Sequence, residues 1–287
     1  MMVFSSKWNY EAENFDGIAG LADFVLELYK RKNIELKPSS YLQRYINSAR
    51  MLPKLRENAL NGKRDEDWAI RMYEAYLFKE VGFSLRELQS TYHLDFYLHK
   101  LNKGSLNPTD HKPNYAKSHS FELLIASRLH KCGFRIDFVE PDICFHVSDM
   151  SFVIACKNLF SEANTQKNLK DARRQIYKSG KRGFIAICID QMFIGGEILE
   201  KITVQETKDY LEKVGASFKA KNEYIMRHQV QRCKHVLGYI ISASLPVVAV
   251  SDEKGWSSFS LWDVWTYLND MSLCYPYIEE FRNRLVG

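Results

Sequence analysis

The chain has 287 residues, and 46% of them are hydrophobic, so it can bury the core of one large domain or of two ordinary ones. It has no apolar run of about twenty residues, and MMVFSSKWNYEAEN at its start lacks the segments of a secretory signal, so we expect a soluble cytoplasmic protein. The formal net charge of +5 is too small to indicate a nucleic-acid partner by itself.

Residues 17–103 carry apolar side chains at helical spacing and almost no alternating strand pattern, which predicts an all-helical segment. Ser39 or Ser40 can cap its second helix, Pro53 is expected to interrupt or end that helix, and Asn61-Gly62 predicts a turn before the third. The aromatic side chains recur at the same spacing, so we assign them to a core. They are Trp8, Tyr29, Tyr41, Tyr45, Trp68, Tyr73, Tyr76 and Phe78.

A run of polar and helix-breaking residues, LNKGSLNPTDHKPN, occupies positions 101–114. We place a domain boundary within it. The sequence therefore predicts an all-helical N-terminal domain over residues 1–112 and a second domain over residues 113–287.

Beyond this boundary helices and strands alternate, which predicts an α/β domain with one mixed central sheet flanked by helices. Helices are predicted at about 118–131 and 164–179, and strands at FRIDFV, DICFHV, SFVIACK and GFIAICID. A long helix at about 221–243, the strand LPVVAVSD, the segment WSSFSLWDVWTYL and a terminal helix complete the domain. Gly195-Gly196 predicts a turn, and the Lys-Ser/Thr ending of a phosphate-binding loop does not follow it.

Cysteine and histidine patterns give little sign of a metal site. The six cysteines are widely spaced, form no CxxC pair and mostly lie in apolar runs, so we interpret them as buried free thiols. The eight histidines form no HxH or HExxH grouping, and we assign them to the surface or the core.

Charged residues at the ends of predicted strands are the candidates for a catalytic or metal-binding site. Asp142 follows Pro141 at the start of DICFHV, Lys157 ends SFVIACK, and fifteen residues separate the two. This spacing suits adjacent strands joined by a hairpin at Ser148-Asp149. Because alternate residues of a strand share a face, residues 155 and 157 should point to one side and Cys156 to the other.

Together with Glu122 on the preceding helix and Gln175 on the following one, these residues resemble the motifs of the PD-(D/E)XK nuclease superfamily, over about residues 118–190. The resemblance implies a restriction-endonuclease-like fold and a catalytic set drawn from Glu122, Asp142, position 155, Lys157 and Gln175. It also implies a Mg²⁺ or Mn²⁺ ion bound by Asp142, position 155, the Cys156 carbonyl and Glu122. Such an ion activates a water and neutralises charge on the phosphoryl oxygens.

Position 155 departs from this pattern, because it holds alanine where the superfamily has an acid, and a methyl group cannot bind a cation. Two interpretations stay open. An engineered substitution could have removed the acid of an active nuclease. Alternatively, the alanine is natural, and the fold is either a degenerate binding module or uses a migrated acid such as Glu140, Asp149 or Glu162.

Basic side chains follow the motif on the predicted helix. Lys167, Lys170, Arg173, Arg174 and Lys178 form the candidate nucleic-acid-binding set, although a solvated helix face is the alternative. A second basic group is assigned to the long later helix. It consists of Lys219, Lys221, Arg227, Arg232 and Lys234 with His228 and His235.

The leading hypothesis is a Mg²⁺-dependent endonuclease, acting on DNA rather than RNA and belonging to a bacterial restriction or phage-defence system. The biological part follows from the resemblance alone, because one fold serves many functions. The rival hypothesis is a non-catalytic module that binds nucleic acid or protein. A homo-oligomer, or a partner subunit of a defence system, is expected in either case, and no membrane partner is.

Overall fold

A computed structural model describes residues 2–64, 66–107, 110, 115–193, 199–200, 204–248, 256–267 and 274–286. The helices are α1 (Phe15–Arg31), α2 (Tyr41–Arg50), α3 (Leu52–Leu60), α4 (Trp68–Glu87), α5 (Leu94–Leu101), α6 (Tyr115–Lys131), α7 (Glu162–Lys178), α8 (Val204–Gln231) and α9 (Tyr275–Val286). The strands are β1 (Met2–Glu13), β2 (Arg135–Phe138), β3 (Ile143–Val147), β4 (Met150–Asn158), β5 (Gly183–Cys188), β6 (Leu199–Glu200), β7 (Val236–Val248) and β8 (Trp256–Tyr267).

One mixed sheet organises the fold, which confirms the predicted α/β class at this level. Its strand order is β1-β8-β7-β5-β4-β3-β2, with β6 paired to β7 beside this path. Strands β2, β3 and β4 are antiparallel to one another, and β4, β5 and β7 run parallel. Strand β8 returns antiparallel to β7, and β1 pairs antiparallel with β8.

Local signals in the N-terminal helices behave as predicted. The Ser40 side chain accepts a hydrogen bond from the Gln43 N–H at 3.2 Å and so caps α2. Helix α2 ends at Arg50, and Pro53 lies in the first turn of α3, where its missing N–H is harmless. Gly62 has a φ of 70°, which fits the predicted turn.

The predicted all-helical N-terminal domain needs correction in one respect, because residues 2–13 form β1 of the central sheet. One apolar cluster also joins α1–α6 to β2, β3 and β4. The segment before residue 112 therefore shares its core with the segment after it. The predicted boundary falls partly on residues outside the described ranges.

Six of the aromatic side chains assigned to the core are buried, namely Tyr29, Tyr45, Trp68, Tyr73, Tyr76 and Phe78. Tyr41 is exposed, and the Trp8 side chain lies outside the described residues.

The sheet is covered on both faces. One face, which we call the α6 face, packs against α1–α6 and α9. The other, the α7 face, packs against α7 and α8. Along β4, Phe152, Ile154 and Cys156 belong to the α6 face, whereas Val153 and Ala155 belong to the α7 face. Strand β4 is thus buried on both sides, as central strands with helices on both faces are.

The C-terminal part differs most from the prediction. The predicted helix at 221–243 is instead the end of α8 followed by β7, and WSSFSLWDVWTYL lies mostly in β8. A continuous apolar run such as VLGYIISASL is compatible with a buried strand or a buried helix, and periodicity alone does not separate them. Gly195-Gly196 lies outside the described residues.

All six cysteines are free, and all but the half-buried Cys132 are buried. Among the described helices, none is both long and apolar enough to cross a membrane.

Candidate functional site

Asp142 lies where the β3–β4 hairpin opens. Its Oδ2 accepts a hydrogen bond of 2.7 Å from the Cys156 N–H, which ties the start of β3 to the end of β4. The ladder pairs Ile143 with Ile154, so Asp142 lies one step beyond this pair, opposite Ala155. The predicted antiparallel placement of these two positions on neighbouring strands is therefore observed.

Glu122 approaches this point from α6 and is almost fully buried. Its Oε2 accepts hydrogen bonds from the Tyr97 hydroxyl at 3.0 Å and from His119 Nδ1 at 2.9 Å, the latter formed when the imidazole carries a proton there. His119 precedes Glu122 by three residues, so the two side chains meet on one face of the helix. These two bonds fix the Glu122 carboxylate and leave Oε1 without a bond to any other described residue.

The electrostatics of Asp142 connect it to Glu122. The pKa of Asp142 is raised from its ordinary 3.8 to about 7, first by burial, next by the neighbouring Glu122 carboxylate and to a smaller extent by Glu140. The Cys156 N–H and the Lys157 ammonium oppose this rise. Burial, rather than crowding of like charges, is the leading cause of the raised pKa.

Lys157 is half-buried at the end of β4. It lies close enough to Asp142 and Cys156 for its charge to lower the pKa of both groups. By the alternation of β4, Lys157 leaves the strand on the α7 face, as Ala155 does. The acid pair lines a cavity beside α5 and α6, and Lys157 is not among the described residues that line it. The expectation that Asp142, position 155 and Lys157 share one pocket on one face of the sheet is therefore wrong.

Ala155 is fully buried and belongs to the apolar cluster of the α7 face, with Val153, Leu169 and Ala172. Among the described residues that line the cavity beside Asp142, Ala155 does not occur. The missing acid therefore leaves no gap that opens to this cavity, because neighbouring apolar side chains enclose the methyl group.

Gln175 does not lie near Asp142 and Glu122. Helix α7 starts just after β4 ends and leads back to the start of β5, which is parallel to β4. Gln175 is the fourteenth residue of α7, so it lies about 20 Å along the helix axis from the end near Lys157. Among the described residues, Gln175 Oε1 is buried and has no hydrogen-bond partner.

The three candidate migrated acids lie in different places. Glu140 lines the cavity that contains Glu122 and Asp142. Asp149 lies in the turn at the other end of the hairpin, about 17 Å away at the rise of a five-residue strand. Glu162 accepts a 2.6 Å hydrogen bond from Lys221 at the start of α7. Glu140 is therefore the acid best placed to join the pair.

The cavity itself encloses about 290 Å³ and opens between α5, α6 and the segment 138–142. Helix α5 contributes Phe96 and Tyr97, whose rings lie 5.3 and 5.5 Å from that of His119. The Tyr97 ring also packs at 4.4 Å from Phe138. Sequence reasoning missed this contribution from the N-terminal segment. Its only signal is the interleaving of aromatic and histidine residues in TYHLDFYLHK.

A second polar cluster was also missed. Asp190 follows β5, and burial raises its pKa to about 7. Its Oδ1 accepts a 2.8 Å hydrogen bond from the Ser244 N–H, and the Cys188 thiol donates to the carboxyl group. Asp190 lines a small cavity of about 90 Å³ with Glu80 and Lys117.

The basic residues of α7 lie on the opposite face of the sheet from α6. Lys167, Lys170, Arg174 and Lys178 are exposed and Arg173 is half-buried. In the second group, Lys219 pairs with Asp263 at 2.8 Å, Lys221 with Glu162 and Arg227 with Glu223. Arg232, Lys234 and His235 follow the end of α8 rather than lying on it, which corrects their predicted placement.

The donor set determines which metal the residues fit. Among the described residues, no group of three or more His, Cys, Asp and Glu side chains is arranged to hold a metal ion. In this cavity Asp142 Oδ1 and Glu122 Oε1 make no bond to another described residue. A Mg²⁺ ion that keeps several of its waters fits two carboxylates of this kind, whereas an ion held entirely by protein ligands does not.

Comparison with known proteins identifies no relative: no protein-family model, no curated protein and no solved structure matches the chain.

Proposed function

We propose that α6 through β5 form a restriction-endonuclease-like core and that the chain is a metal-dependent endonuclease. The proposal is supported by the order helix, three antiparallel strands, helix and parallel strand, which is the order that the sequence resemblance implies. The observation that carries it is the pair formed by the buried Glu122 and the half-buried Asp142 at the hairpin opening. DNA is the substrate expected by analogy, and Mg²⁺ or Mn²⁺ the ion.

Each side chain has a role in this proposal. The Glu122 and Asp142 carboxylates would hold the ion, and Tyr97 and His119 fix the orientation of Glu122 by their hydrogen bonds. Bound there, the ion would lower the pKa of an attacking water. Lys157, at the end of β4, is the proposed contact for a phosphoryl oxygen, and its long side chain would have to reach around the strand end. Glu140 lines the same cavity, but in the described part of the chain it does not complete a three-carboxylate metal site with Glu122 and Asp142.

The raised pKa of Asp142 supports a cation at this pair. Two neighbouring buried carboxylates disfavour simultaneous ionisation, and a bound divalent cation removes that penalty. Metal binding should therefore release protons near neutral pH, because the ligands must be ionised.

The second candidate function is a non-catalytic module that binds nucleic acid or protein. The enclosure of Ala155 among apolar side chains favours it, because that packing leaves no room for an acid without rearrangement. This module binds nucleic acid without a divalent ion, and its affinity falls with salt.

The test is cleavage of plasmid, linear and single-stranded DNA and of RNA with Mg²⁺ or Mn²⁺, using the chain as given and Ala155→Glu. We expect cutting by at least one of these forms, and its loss in Asp142→Asn and Glu122→Gln. Asp149→Asn is the matched control, because it removes an exposed carboxylate from the other end of the same hairpin. Thermal melts check that each variant folds.

If neither form cuts any substrate, and Mg²⁺ does not change nucleic-acid affinity, the enzyme proposal is wrong and the binding module stands. Assembly as a homo-oligomer or with a partner subunit, and a place in restriction or phage defence, are further parts of the proposal that rest on analogy. A strict monomer in light scattering would refute the proposed homo-oligomer.

A further inference from the structure

A groove leads to the acid pair along the outer edge of the sheet. A cavity of about 820 Å³ lies between the α4–α5 connection and β2. It shares His93, Phe138 and Val139 with the 290 Å³ cavity that contains Glu122 and Asp142. The two cavities therefore adjoin, and we call them together the β2 groove.

Strand β2 forms one wall of this groove. It is the last strand of the sheet, and in the described part of the chain its outer side pairs with no other strand. The chain continues from Phe138 through Val139 and Glu140 to Asp142, so the same wall ends at the acid pair. A linear ligand lying along β2 would thus reach the candidate site in an extended conformation.

Aromatic rings line the opposite wall. Tyr92 is 80% exposed, and its ring lies 4.0 Å from that of His93. Phe96 is 48% exposed and lies closer to the acid pair. Other tyrosines of the chain, such as Tyr224, are exposed too, so what distinguishes Tyr92 and Phe96 is that both line the groove. Aromatic rings in such a position can serve as stacking platforms for unpaired bases.

Positive charge accompanies these rings. Arg135 is largely exposed at the start of β2, and Lys181 reaches the groove from the turn before β5. Arg135 lies 3.9 Å from Asp137, a loose pair that leaves its guanidinium available to solvent. Phosphate groups passing along the groove would meet these two cations before reaching Glu122 and Asp142.

We propose that the β2 groove binds single-stranded nucleic acid, with bases against Tyr92 and Phe96 and the backbone beside Arg135 and Lys181. A duplex keeps its base faces stacked on one another, so it cannot use these rings. The inference rests on the proposed function for the position of the scissile phosphate, but binding in the groove does not require cleavage. A polypeptide strand added to the β2 edge is the competing occupant.

The test is fluorescence anisotropy with a labelled single-stranded oligonucleotide and its duplex, in EDTA so that no metal-dependent cutting occurs. We expect the single strand to bind more tightly than the duplex. Tyr92→Ala and Phe96→Ala should each weaken binding by roughly 5- to 100-fold, which is the range for one stacked base. Tyr92→Phe should retain it.

Tyr224→Ala is the matched control, because Tyr224 is also 80% exposed but lies on α8. Equal effects of the Tyr92 and Tyr224 substitutions, tighter binding of the duplex, or no binding of the single strand would overturn the inference. Arg135→Ala should reduce the slope of log affinity against log salt concentration by the amount expected for the loss of about one phosphate contact. An unchanged slope would contradict the role of Arg135.

The experiments distinguish failure of the nuclease proposal from failure of the β2 groove proposal. Cleavage that is unaffected by Tyr92→Ala refutes the groove and leaves the nuclease. Binding that depends on Tyr92 without any cleavage refutes the nuclease and leaves the groove.

Discussion

Asp190→Asn should make the protein more stable at alkaline pH. The Asp190 carboxyl has a pKa of about 7 in the folded chain against an ordinary value of 3.8, with burial as the leading cause. Asparagine has nearly the same shape and carries no charge. Its Oδ1 can keep the hydrogen bond from the Ser244 N–H, which is 2.8 Å long in the structure.

The magnitude follows from the two pKa values. Between pH 3.8 and about 7 the folded chain holds a proton that the unfolded chain has released. The stability that the neutral carboxyl provides is therefore fully present below the unfolded pKa and is lost as the pH rises through the folded pKa. A pKa difference of about three corresponds to about 4 kcal/mol, and partial solvent access to the carboxyl reduces this to an expected 2–4 kcal/mol.

Urea unfolding in EDTA from pH 4.5 to 8.5 measures the effect. At pH 4.5 the free energy of unfolding of the variant should be close to that of the parent. Above pH 8 it should be higher by about 2–4 kcal/mol, as the linkage between protonation and folding requires. Asp209→Asn is the control, because Asp209 is an exposed carboxylate on α8 that accepts a hydrogen bond from Gln205. A difference that does not grow with pH, or a less stable variant at pH 8, would refute the reasoning.

Three further outcomes are expected. Mg²⁺ should raise the melting temperature of the parent at pH 8 and leave that of Asp142→Asn unchanged, and an equal rise in both would contradict the metal site. Gly183→Ala should destabilise the fold by several kcal/mol, because its Cβ would lie 1.9 Å from the Val153 carbonyl oxygen. Gly20→Ala should stabilise α1 by about 0.5–1 kcal/mol, since no atom lies within 4 Å of the added methyl group and alanine favours a helix; chemical denaturation measures both.

Local sequence signals located much of the fold and part of the site. The segment from α6 to β5 was predicted in the observed order, because its strands are short, β-rich and bounded by turn residues. The alternation of β4 correctly separated Cys156 from Ala155. It did not reveal that Ala155 is as deeply buried as Cys156, because burial of the second face depends on α7 and α8, which are distant in sequence.

Other errors have equally physical causes. The pairing of β1 with β8 joins the two ends of the chain, and a strand that pairs only with a remote partner has no local signal. Gln175 was assigned by its order in the chain, whereas its position depends on the direction of α7 relative to β4. Tyr97 enters the site through tertiary packing of α5 on α6, which spacing within either helix does not encode.

The pairing of β1 with β8 also determines when the sheet can be completed during synthesis of the chain. Roughly 240 residues must be synthesised after Glu13 before the first residue of its partner strand exists, which takes about 12–50 s at 5–20 residues per second. During that interval the first strand has no native place to pair, and the edges of β7 and β5 are uncovered in the nascent chain. Strands β1 and β8 therefore reach their native pairing together, once β8 has been synthesised, and nascent-chain chaperones can bind β1 throughout the interval before it.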